Sequence, residues 1–349
     1  MPEFKIKDRT IGSGHPCYVI AEMSANHTGS FEKALTIVRS AKEAGADAIK
    51  LQTYTPDTMT IDYNNEYFYL DHPLWKGKTL YQLYQEAQTP WEWHKPLKME
   101  AERIGLHFFS TPFDETAVDF LETLDVPAYK IASFELVDDE LLKKVASTHK
   151  PVILSTGMAT FQEIQHAVEV LRQNGTQDLA LLRCVSSYPA KPGQMNLSLI
   201  MDMRRQFNAV TGLSDHTTDN VTSIAAVALG ANIIEKHFKN SAGDQSHDAA
   251  FSLSSEQFRG LVNDIRASES SIGQSRYGPV SSEKDCLKYR RSLFFIKEMR
   301  QGDIITKENI RIIRPGYGLA PKEMEKILGK RVKKAVRRGE PVAWDAINE

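Results

Sequence analysis

Short apolar segments alternate with amphipathic helical segments over the first 270 residues of the chain. Eight of the apolar segments have the length and composition of buried strands. They are residues 17–23, 47–54, 106–111, 128–133, 151–156, 179–184, 208–214 and 232–238. Eight βα units in about 270 residues predict an α/β fold closed into a (β/α)8 TIM barrel. An open doubly wound sheet is the alternative, but its G-x-G-x-x-G turn does not follow the first predicted strand.

The segment 30–46 shows the helical pattern most clearly. Ser30 is a favourable N-cap, and Gly45 is in a position to end the helix. Its apolar stripe recurs at helical spacing and consists of Ala34, Ile37, Val38 and Ala41. Such a stripe predicts a helix that packs one face against a layer of strands.

The pattern changes after residue 272. Residues 273–286 are rich in Gly, Ser and Pro and are predicted to form a linker. Residues 287–349 contain short β-like runs separated by Gly and Pro, with one helix candidate at 321–329. The sequence therefore predicts a barrel domain at 1–272, a linker at 273–286 and a small, mostly β domain at 287–349.

Composition narrows the class of protein. The chain has 349 residues, of which 41% are hydrophobic and 25% charged, as in ordinary globular proteins. It has neither an apolar run long enough to span a membrane nor a secretory signal pattern, so we expect a cytoplasmic location and no membrane partner. Its three cysteines form no CxxC pair, which fits a reducing compartment and argues against a thiolate zinc site.

The net charge of -2 is unevenly distributed. Residues 287–349 contain 16 Lys and Arg against 8 Asp and Glu, whereas the rest of the chain contains 27 against 37. A basic tail on an acidic body has three interpretations: a nucleic-acid site, a solvated surface, or a domain that docks on the acidic body. The tail contains no recognised DNA- or RNA-binding motif, so we expect no nucleic-acid partner.

Polar side chains recur at the carboxyl ends of the predicted strands. Side chains alternate between the two faces of a strand, and the following polar residues share a face with apolar residues two or four positions earlier. They are Glu22, Lys50, Gln52, Lys130, Glu235 and His237. The carboxyl ends of barrel strands carry the active sites of such barrels. The sequence therefore predicts an active site there, although one such lysine alone would more often belong to a core ion pair.

The same strand ends carry hydroxyl groups. They belong to Thr111, Ser133, Ser155 and Ser214. Together with Lys50 and Lys130 they would form a cradle for a phosphate or carboxylate, although each serine alone is commonly a turn residue.

Two histidines and one arginine have open interpretations. His216 follows the seventh strand and His237 ends the eighth, so they could share a divalent cation or form a hydrogen-bonded pair. Lys236 points to the opposite face and is interpreted as structural. Arg314 precedes a Pro-Gly turn and could clamp an anion or be an ordinary surface residue.

Several segments together resemble the sialic acid synthase family. They are AEMSANHTGS, DAIKLQTYTPDTMT, YKIASFE, STGMAT, GLSDHT, ALGANIIEKHF and RPGYGL, which span nearly the whole chain in the family's order. This family consists of phosphoenolpyruvate-condensing enzymes with a (β/α)8 barrel and a C-terminal antifreeze-like (SAF, β-clip) domain. The segments EMSANH, KLQTYTPDTMT and LWKGKTLYQLYQEAQTPWEWH are most similar to the branch that makes pseudaminic acid.

The resemblance implies roles for individual residues. Glu22 would act in acid–base chemistry, and His216 and His237 would bind a divalent metal, manganese first and magnesium or cobalt as alternatives, with Glu235 beside them. Phosphoenolpyruvate would be held by Lys50, Thr111, Lys130, Ser133, Ser155 and Ser214. The sugar would face Gln52, Tyr188 and Asp248. Ser186 stands where the neuraminic acid branch has Asn, so Ser186 or a neighbour would make that phosphate contact.

The resemblance also implies an assembly and a reaction. We expect a homodimer in which the antifreeze-like domain of one chain covers the barrel of the other, so that Arg314 reaches the sugar site of the other chain. The expected reaction joins phosphoenolpyruvate to 2,4-diacetamido-2,4,6-trideoxy-L-altrose, for flagellin glycosylation or a cell-surface polysaccharide. The alternative is N-acetylneuraminate or legionaminate synthesis from N-acetylmannosamine or another diacetamido-trideoxy hexose. Residues 63–75, rich in aromatic side chains, are the candidate lid.

Overall fold

The structure, a computed structural model, describes residues 2–71 and 76–348. The chain divides into two compact units, residues 1–273 and residues 274–349, which are described separately below. No helix within the two described ranges combines the length and apolar character needed to cross a lipid bilayer.

The first unit is a closed barrel of eight parallel strands preceded by a β-hairpin. Its strands are β1 (Glu3–Ile6), β2 (Arg9–Gly12), β3 (Tyr18–Glu22), β4 (Ala48–Thr53), β5 (His107–Pro112), β6 (Tyr129–Ile131), β7 (Val152–Ser155), β8 (Leu179–Cys184), β9 (Val210–Asp215), β10 (Ile233–Lys239) and β11 (Leu253–Ser254). Strands β3 to β10 follow one another around the barrel, and β10 pairs with both β9 and β3 to close it. The predicted (β/α)8 barrel is therefore confirmed, and the open-sheet alternative is wrong.

Helices surround the barrel and follow its strands. They are α1 (Phe31–Glu43), α2 (Pro56–Met59), α3 (Leu80–Ala87), α4 (Trp91–Arg103), α5 (Glu115–Thr123), α6 (Asp139–Ala146), α7 (Phe161–Gln173), α8 (Leu199–Phe207), α9 (Val221–Ala228) and α10 (Ser255–Ile272). Short 3-10 helices lie at Ser24–His27, Phe134–Val137, Pro192–Gln194 and Ala249–Phe251. Helix α1 has the predicted N-cap, since the Ser30 side chain accepts a hydrogen bond from the Lys33 amide. The predicted apolar stripe of α1 is fully buried against the barrel.

The connection between β4 and α4 is the longest addition to the barrel pattern, and it contains α2 and α3. The candidate lid lies in this connection, where Tyr69 forms a bridge with Thr79. Tyr63 and Tyr67 of the lid are exposed. Residues 72–75 of the predicted lid lie outside the described residues.

The second unit is a small domain with little regular structure. It contains an antiparallel pair, β12 (Ser292–Phe295) and β13 (Ile310–Ile313), one short helix, α11 (Met324–Ile327), and 3-10 helices at Ser281–Tyr289, Pro321–Glu323 and Trp344–Ala346. Its separate apolar core is built around Leu293, Phe295, Ile305, Val332 and Val342. The helix predicted at 321–329 is limited to a 3-10 turn and α11, because Leu328 is already in an extended conformation.

Candidate active site

The register of the barrel strands aligns the polar residues at their carboxyl ends. His237 of β10 lies opposite Glu22 of β3, and Glu22 lies opposite Lys50 of β4. Glu235 lies opposite Ser214 of β9. Because paired residues of parallel strands point to the same side of a sheet, these five side chains face the barrel interior together.

These residues surround a cavity of about 60 Å³ inside the mouth of the barrel. Of the predicted site residues, the cavity is lined by Glu22, Lys50, Gln52, Thr111, Lys130, Ser133, Ser155, Tyr188, Ser214, His216, Glu235 and His237. Asp248 lines a second cavity, described below, and Ser186 lies beside Ser133 in the neighbouring loop. Arg314 belongs to the second unit, where it follows β13 and is exposed.

Two lysines and two glutamates form an ion-pair network in this cavity. Lys50 Nζ lies 2.6 Å from Glu22 Oε2 and 3.7 Å from Glu235 Oε1. Lys130 Nζ lies 3.9 Å from Glu235 Oε1. Lys50 also donates to Thr111 Oγ1 at 3.0 Å, and Lys130 donates to Ser155 Oγ at 2.7 Å. The cradle therefore presents two buried ammonium groups whose charge is already partly balanced.

The two glutamates differ in their protonation equilibria. Burial raises the pKa of Glu22, against the opposing effect of Lys50. Burial would also raise the pKa of Glu235, but Lys130 and Lys50 outweigh burial and lower it. Glu235 is thus held as a carboxylate, whereas Glu22 takes up a proton more readily. Two carboxyl groups with opposite shifts are typical of sites that divide acid–base work from charge stabilisation.

A glycine allows the loop after β7 to approach the hydroxyl groups. The Gly157 amide donates to Ser133 Oγ at 3.0 Å. A Cβ atom at position 157 would lie 2.7 Å from Ser133 Oγ and still closer to Ser186 Oγ. Only a residue without a side chain fits here, so Gly157 brings Ser133 and Ser186 together at the edge of the cradle.

His216 and His237 have the features of a pair of metal ligands. Their ring centroids lie 5.3 Å apart. Nδ1 of His216 lies 3.0 Å from the carbonyl oxygen of Val185, so it donates there, and Nε2 is the nitrogen that could bind a cation when the ring is neutral. Nδ1 of His237 is buried with no hydrogen-bond partner among the described residues. Burial, with His216 and Lys50 nearby, holds the pKa of His237 well below its usual value, which keeps the ring neutral as a ligand must be.

The donors available to a cation are few. Within residues 2–71 and 76–348, no group of three or more His, Cys, Asp or Glu is arranged to hold a metal ion. His237, neutral and with an unpartnered buried nitrogen, fits a first-row divalent cation that takes its remaining ligands from water or substrate. His216 beside it would add a second imidazole, although burial, which would lower the pKa of His216, is outweighed by Cys184, which raises it.

A second cavity, of about 410 Å³, opens from the first. Gln52, Tyr188 and His237 line both. Its wall on the side of the β4–α4 connection is largely apolar and includes Met59, Leu70, Leu80, Leu83 and Ala87, beside the side chains of Tyr54 and Tyr84; Phe113 joins this wall from the loop after β5. Its polar groups include Ser24, Glu135, His247 and Asp248. The cavity thus combines one apolar wall with a few convergent polar groups, as sites for small organic ligands do.

Three residues of the site were missed by sequence reasoning. Ser24 lies two positions after Glu22, so the strand alternation, if continued, would have indicated it. Cys184 ends β8 and lines the inner cavity, but an apolar residue at a strand end carries no signal. Glu135 lies in a 3-10 helix, where burial raises its pKa to about 7.

Two further histidines lie near the site without facing the inner cavity. His27 is buried, accepts a hydrogen bond from the Gly29 amide and lies 3.2 Å from Thr89 Oγ1, so it stabilises the turn after β3. His247, for which the sequence suggested no partner, lies 3.2 Å from Glu86 of α3.

Lys236 lies on the outer face of β10, as the alternation predicts. Its ammonium group is fully buried and lies 2.7 Å from Asp215 Oδ2. It also donates to the carbonyl oxygens of Thr217 and Asp219 at 2.8 and 2.9 Å. Lys236 therefore fastens the loop that carries His216 to the strand that carries His237.

Two family profiles, several known proteins and a solved structure are similar to this chain. The NeuB family profile matches residues 37–277, and the SAF domain profile matches residues 290–348. The chain is 41% identical to the pseudaminic acid synthase of Campylobacter jejuni over 93% of this chain and 94% of that protein. It is also 41% identical to the pseudaminic acid synthase of Helicobacter pylori, over 95% and 98%. The structure of spore coat polysaccharide biosynthesis protein spsE from Bacillus subtilis superposes with a TM-score of 0.68 and 31% identity, covering 100% of this chain and 99% of that one.

Proposed function

The chain belongs to the NeuB family, and from that premise we propose that it is a pseudaminic acid synthase. The reaction joins phosphoenolpyruvate, 2,4-diacetamido-2,4,6-trideoxy-L-altrose and water and yields pseudaminic acid and phosphate. The observation that carries the proposal is the pair of buried lysines, Lys50 and Lys130, beside Glu22 in a cavity that opens into a larger one. The ammonium and hydroxyl groups of the inner cavity suit the phosphate and carboxylate of a three-carbon substrate, and the outer cavity has room for a sugar.

The inner residues have separate tasks in binding phosphoenolpyruvate. The ammonium groups of Lys50 and Lys130 attract its phosphate and carboxylate, and the hydroxyls of Thr111, Ser133 and Ser155 orient them. Glu235 limits the positive charge of the cradle and keeps both lysines in place. The substrate is thereby held with its methylene carbon directed toward the outer cavity, where the open-chain aldehyde of the sugar arrives.

The bond changes follow from this arrangement. The methylene carbon attacks the aldehyde carbon, the aldehyde oxygen takes a proton from solvent, and a cationic centre develops beside the phosphate oxygen. Water adds to that centre and gives one proton to Glu22, whose raised pKa suits a base that must take up a proton. The resulting intermediate breaks its bond to the phosphate oxygen, and the proton of its new hydroxyl group passes to the departing phosphate, which leaves the keto acid. The carboxylates of Glu22 and Glu235 also stabilise the developing positive charge.

A divalent cation, manganese first, is part of the proposal. It would be held by His216 and His237, and when bound it supplies Lewis-acid polarisation of the sugar aldehyde. The neutral His237 ring and its unpartnered Nδ1 support this assignment.

The outer cavity favours a deoxygenated, acylated sugar. Its apolar wall includes Leu80, Leu83 and Phe113, which would contact methyl groups better than hydroxyl groups. A 6-deoxy sugar with two acetamido groups carries three methyl groups, whereas N-acetylmannosamine carries one. N-acetylneuraminate or legionaminate synthesis is the alternative function. The sugar that the enzyme accepts distinguishes these functions from pseudaminic acid synthesis.

We also propose a cytoplasmic homodimer that exchanges its SAF domains. The basic second unit and acidic first unit support this arrangement, since unlike charges attract. Arg314 is exposed on the turn after β13, where the Ser292 hydroxyl donates to the Pro315 carbonyl and accepts from the Gly318 amide. A guanidinium on a fixed turn suits a contact with an acetamido carbonyl in the sugar site of the other chain.

Phosphate release tests the function. Phosphoenolpyruvate is supplied with a panel of sugars, including 2,4-diacetamido-2,4,6-trideoxy-L-altrose and N-acetylmannosamine, with and without manganese. We expect release with the diacetamido-trideoxy altrose and little with N-acetylmannosamine. If only N-acetylmannosamine gives phosphate release, the pseudaminic assignment is excluded. If none of the sugars gives release, the synthase function is excluded. Full activity after EDTA treatment would contradict the proposed role of a divalent cation.

A further inference from the structure

Ser24 occupies an unusual backbone position beside the site. Its φ is 45°, in the left-handed region that few residues other than Gly, Asn and Asp adopt. The residue is only 5% exposed and lines the outer cavity two positions after Glu22. A serine held in a strained conformation at a cavity wall requires a compensating interaction, because such conformations persist only where the surroundings enforce them.

That interaction is made by the side chain. The Ser24 hydroxyl donates a short hydrogen bond to Asp248 Oδ2 and accepts one from Gln52 Nε2 at 3.0 Å. Gln52 Nε2 also donates to Glu22 Oε1 at 3.0 Å. The two hydrogens of one amide are thus divided between Ser24 and Glu22. The amide nitrogen only donates and an ionised Asp248 only accepts, so the Ser24 hydroxyl accepts from Gln52 and donates to Asp248.

The chain of hydrogen bonds leaves one side of Asp248 available. Its Oδ2 accepts from the Ser24 hydroxyl and from the Ala25 amide at 3.3 Å. No hydrogen bond from the described residues reaches Oδ1 of the same carboxyl group. Asp248 lines the outer cavity, so its Oδ1 is the oxygen left for a hydroxyl or amide N–H of a ligand there.

We propose that Ser24 is a positioning residue that orients Asp248 toward the sugar and ties it, through Gln52, to Glu22. The proposal rests on the proposed function and extends it. It predicts that the Ser24 hydroxyl contributes to recognition of the sugar but not of phosphoenolpyruvate, whose cradle of Lys50, Lys130 and hydroxyls does not include it.

Two substitutions separate the hydroxyl from the backbone. Ser24→Gly removes the hydroxyl and relieves the left-handed strain, so it is expected to fold more stably than Ser24→Ala. Ser24→Ala removes the same hydroxyl and keeps the strain. If the hydroxyl positions Asp248, both variants lose sugar recognition alike although their thermal stabilities differ.

Steady-state kinetics with each substrate varied in turn provide the test. We expect both variants to raise the KM for the sugar about tenfold or more, as loss of a hydrogen bond to a charged group does, and to change the KM for phosphoenolpyruvate less than about twofold. Ser252→Ala is the matched control, since this nearby buried hydroxyl donates to the Asp248 backbone carbonyl and not to the carboxylate. It is expected to lack the split between the two KM values.

The outcomes are distinct. A Ser24→Gly enzyme with the wild-type KM for the sugar would overturn the positioning role while leaving the proposed function intact. Equal increases in both KM values would assign Ser24 a general structural role and overturn the proposal as well. A wild-type enzyme that releases no phosphate with any sugar would overturn the proposed function and this inference together.

Discussion

Glu22 and Glu235 show how the same side chain acquires two properties in one cavity. Both are almost completely buried, at 1% and 5% exposure. Glu235 lies within 4 Å of two ammonium groups, whereas Glu22 pairs closely only with Lys50 and shares its other oxygen with Gln52. The number of nearby positive charges therefore decides which carboxyl group stays ionised and which accepts a proton.

The acid–base role of Glu22 can be tested by an isosteric change. Glu22→Gln keeps the shape of the side chain but removes the proton acceptor, so kcat is expected to fall about 10²- to 10⁴-fold. The KM for phosphoenolpyruvate should change far less, because the lysines and hydroxyls remain. Steady-state phosphate release measures both, with Glu140→Gln on the exposed side of α6 as the control. Turnover of Glu22→Gln at the wild-type rate would contradict the assignment.

The buried position of Glu135 should make the free energy of unfolding depend on pH. Burial raises its pKa to about 7, above the ordinary value of 4.5, so the folded state binds more protons than the unfolded state between these pH values. Stability of the ligand-free protein should therefore fall as the pH rises from 4.5 to 7, by up to about 3 kcal/mol from this group. The nearby Lys130 reduces the effect and Asp138 adds to it.

Glu135→Gln should remove that contribution. Urea unfolding at pH 5 and pH 8 would show a variant that gains stability over the wild type at pH 8 and loses the advantage at pH 5. The exposed substitution Glu140→Gln serves as the comparison. If both variants follow the wild-type curve, the burial of Glu135 has no energetic consequence.

At the level of the elements, strand alternation predicted the residues of the inner cavity. Glu22, Lys50 and His237 were found because a period of two fixes which face of a strand a side chain occupies. The fold was predicted for the same reason, since eight strands could be counted directly. Continuing the alternation past the end of β3 would also have indicated Ser24, whereas the loop that carries Glu135 obeys no such period and its spacing could not assign it to the site.

Other parts of the site depend on packing between distant segments. The apolar wall of the outer cavity includes Leu80 and Leu83 of α3, which lies in the long connection between β4 and α4. An apolar stripe on a short helix predicts that the helix packs against something, but not what it faces. Asp248 and Arg314 were assigned through the family resemblance, because no local pattern relates them to the barrel strands.

The pair of Lys236 and Asp215 predicts a stability effect at the joint between β9 and β10. Lys236→Met would leave Asp215 buried without its counter-ion, which is expected to cost about 3–5 kcal/mol. The exposed pair of Lys143 and Glu140 provides the control, since Lys143→Met should cost at most about 1 kcal/mol. Equilibrium unfolding in urea measures both.

A double variant distinguishes a lost pair from poor packing. Asp215→Asn combined with Lys236→Met removes both charges, so it should recover part of the stability lost by Lys236→Met. If the double variant instead has a lower free energy of unfolding than Lys236→Met, by the amount that Asp215→Asn costs alone, charge pairing does not explain the effect.

At the scale of the whole molecule, the site described in the first unit has one predicted residue missing from it. Arg314 lies in the second unit, which has its own core and the opposite net charge. Residues 274–291, which lead into the core of the second unit, are exposed. The proposed contact of Arg314 with the sugar could be made by the SAF domain of the same chain or, as proposed, by that of a second chain.

Complementation between two inactive variants separates these arrangements. Glu22→Gln disables the barrel, and Arg314→Ala is expected to impair sugar binding by the SAF domain. Differently tagged chains carrying one substitution each are co-expressed, and the mixed dimer is isolated by two affinity steps. In an exchanged dimer, the barrel with an intact Glu22 is covered by the domain with an intact Arg314, so about half of the wild-type activity should return. The controls are two dimers in which both chains carry different tags but the same substitution, and both dimers should stay impaired. If each barrel used its own SAF domain, the mixed dimer would contain no intact site, and its activity would be the mean of the two parents.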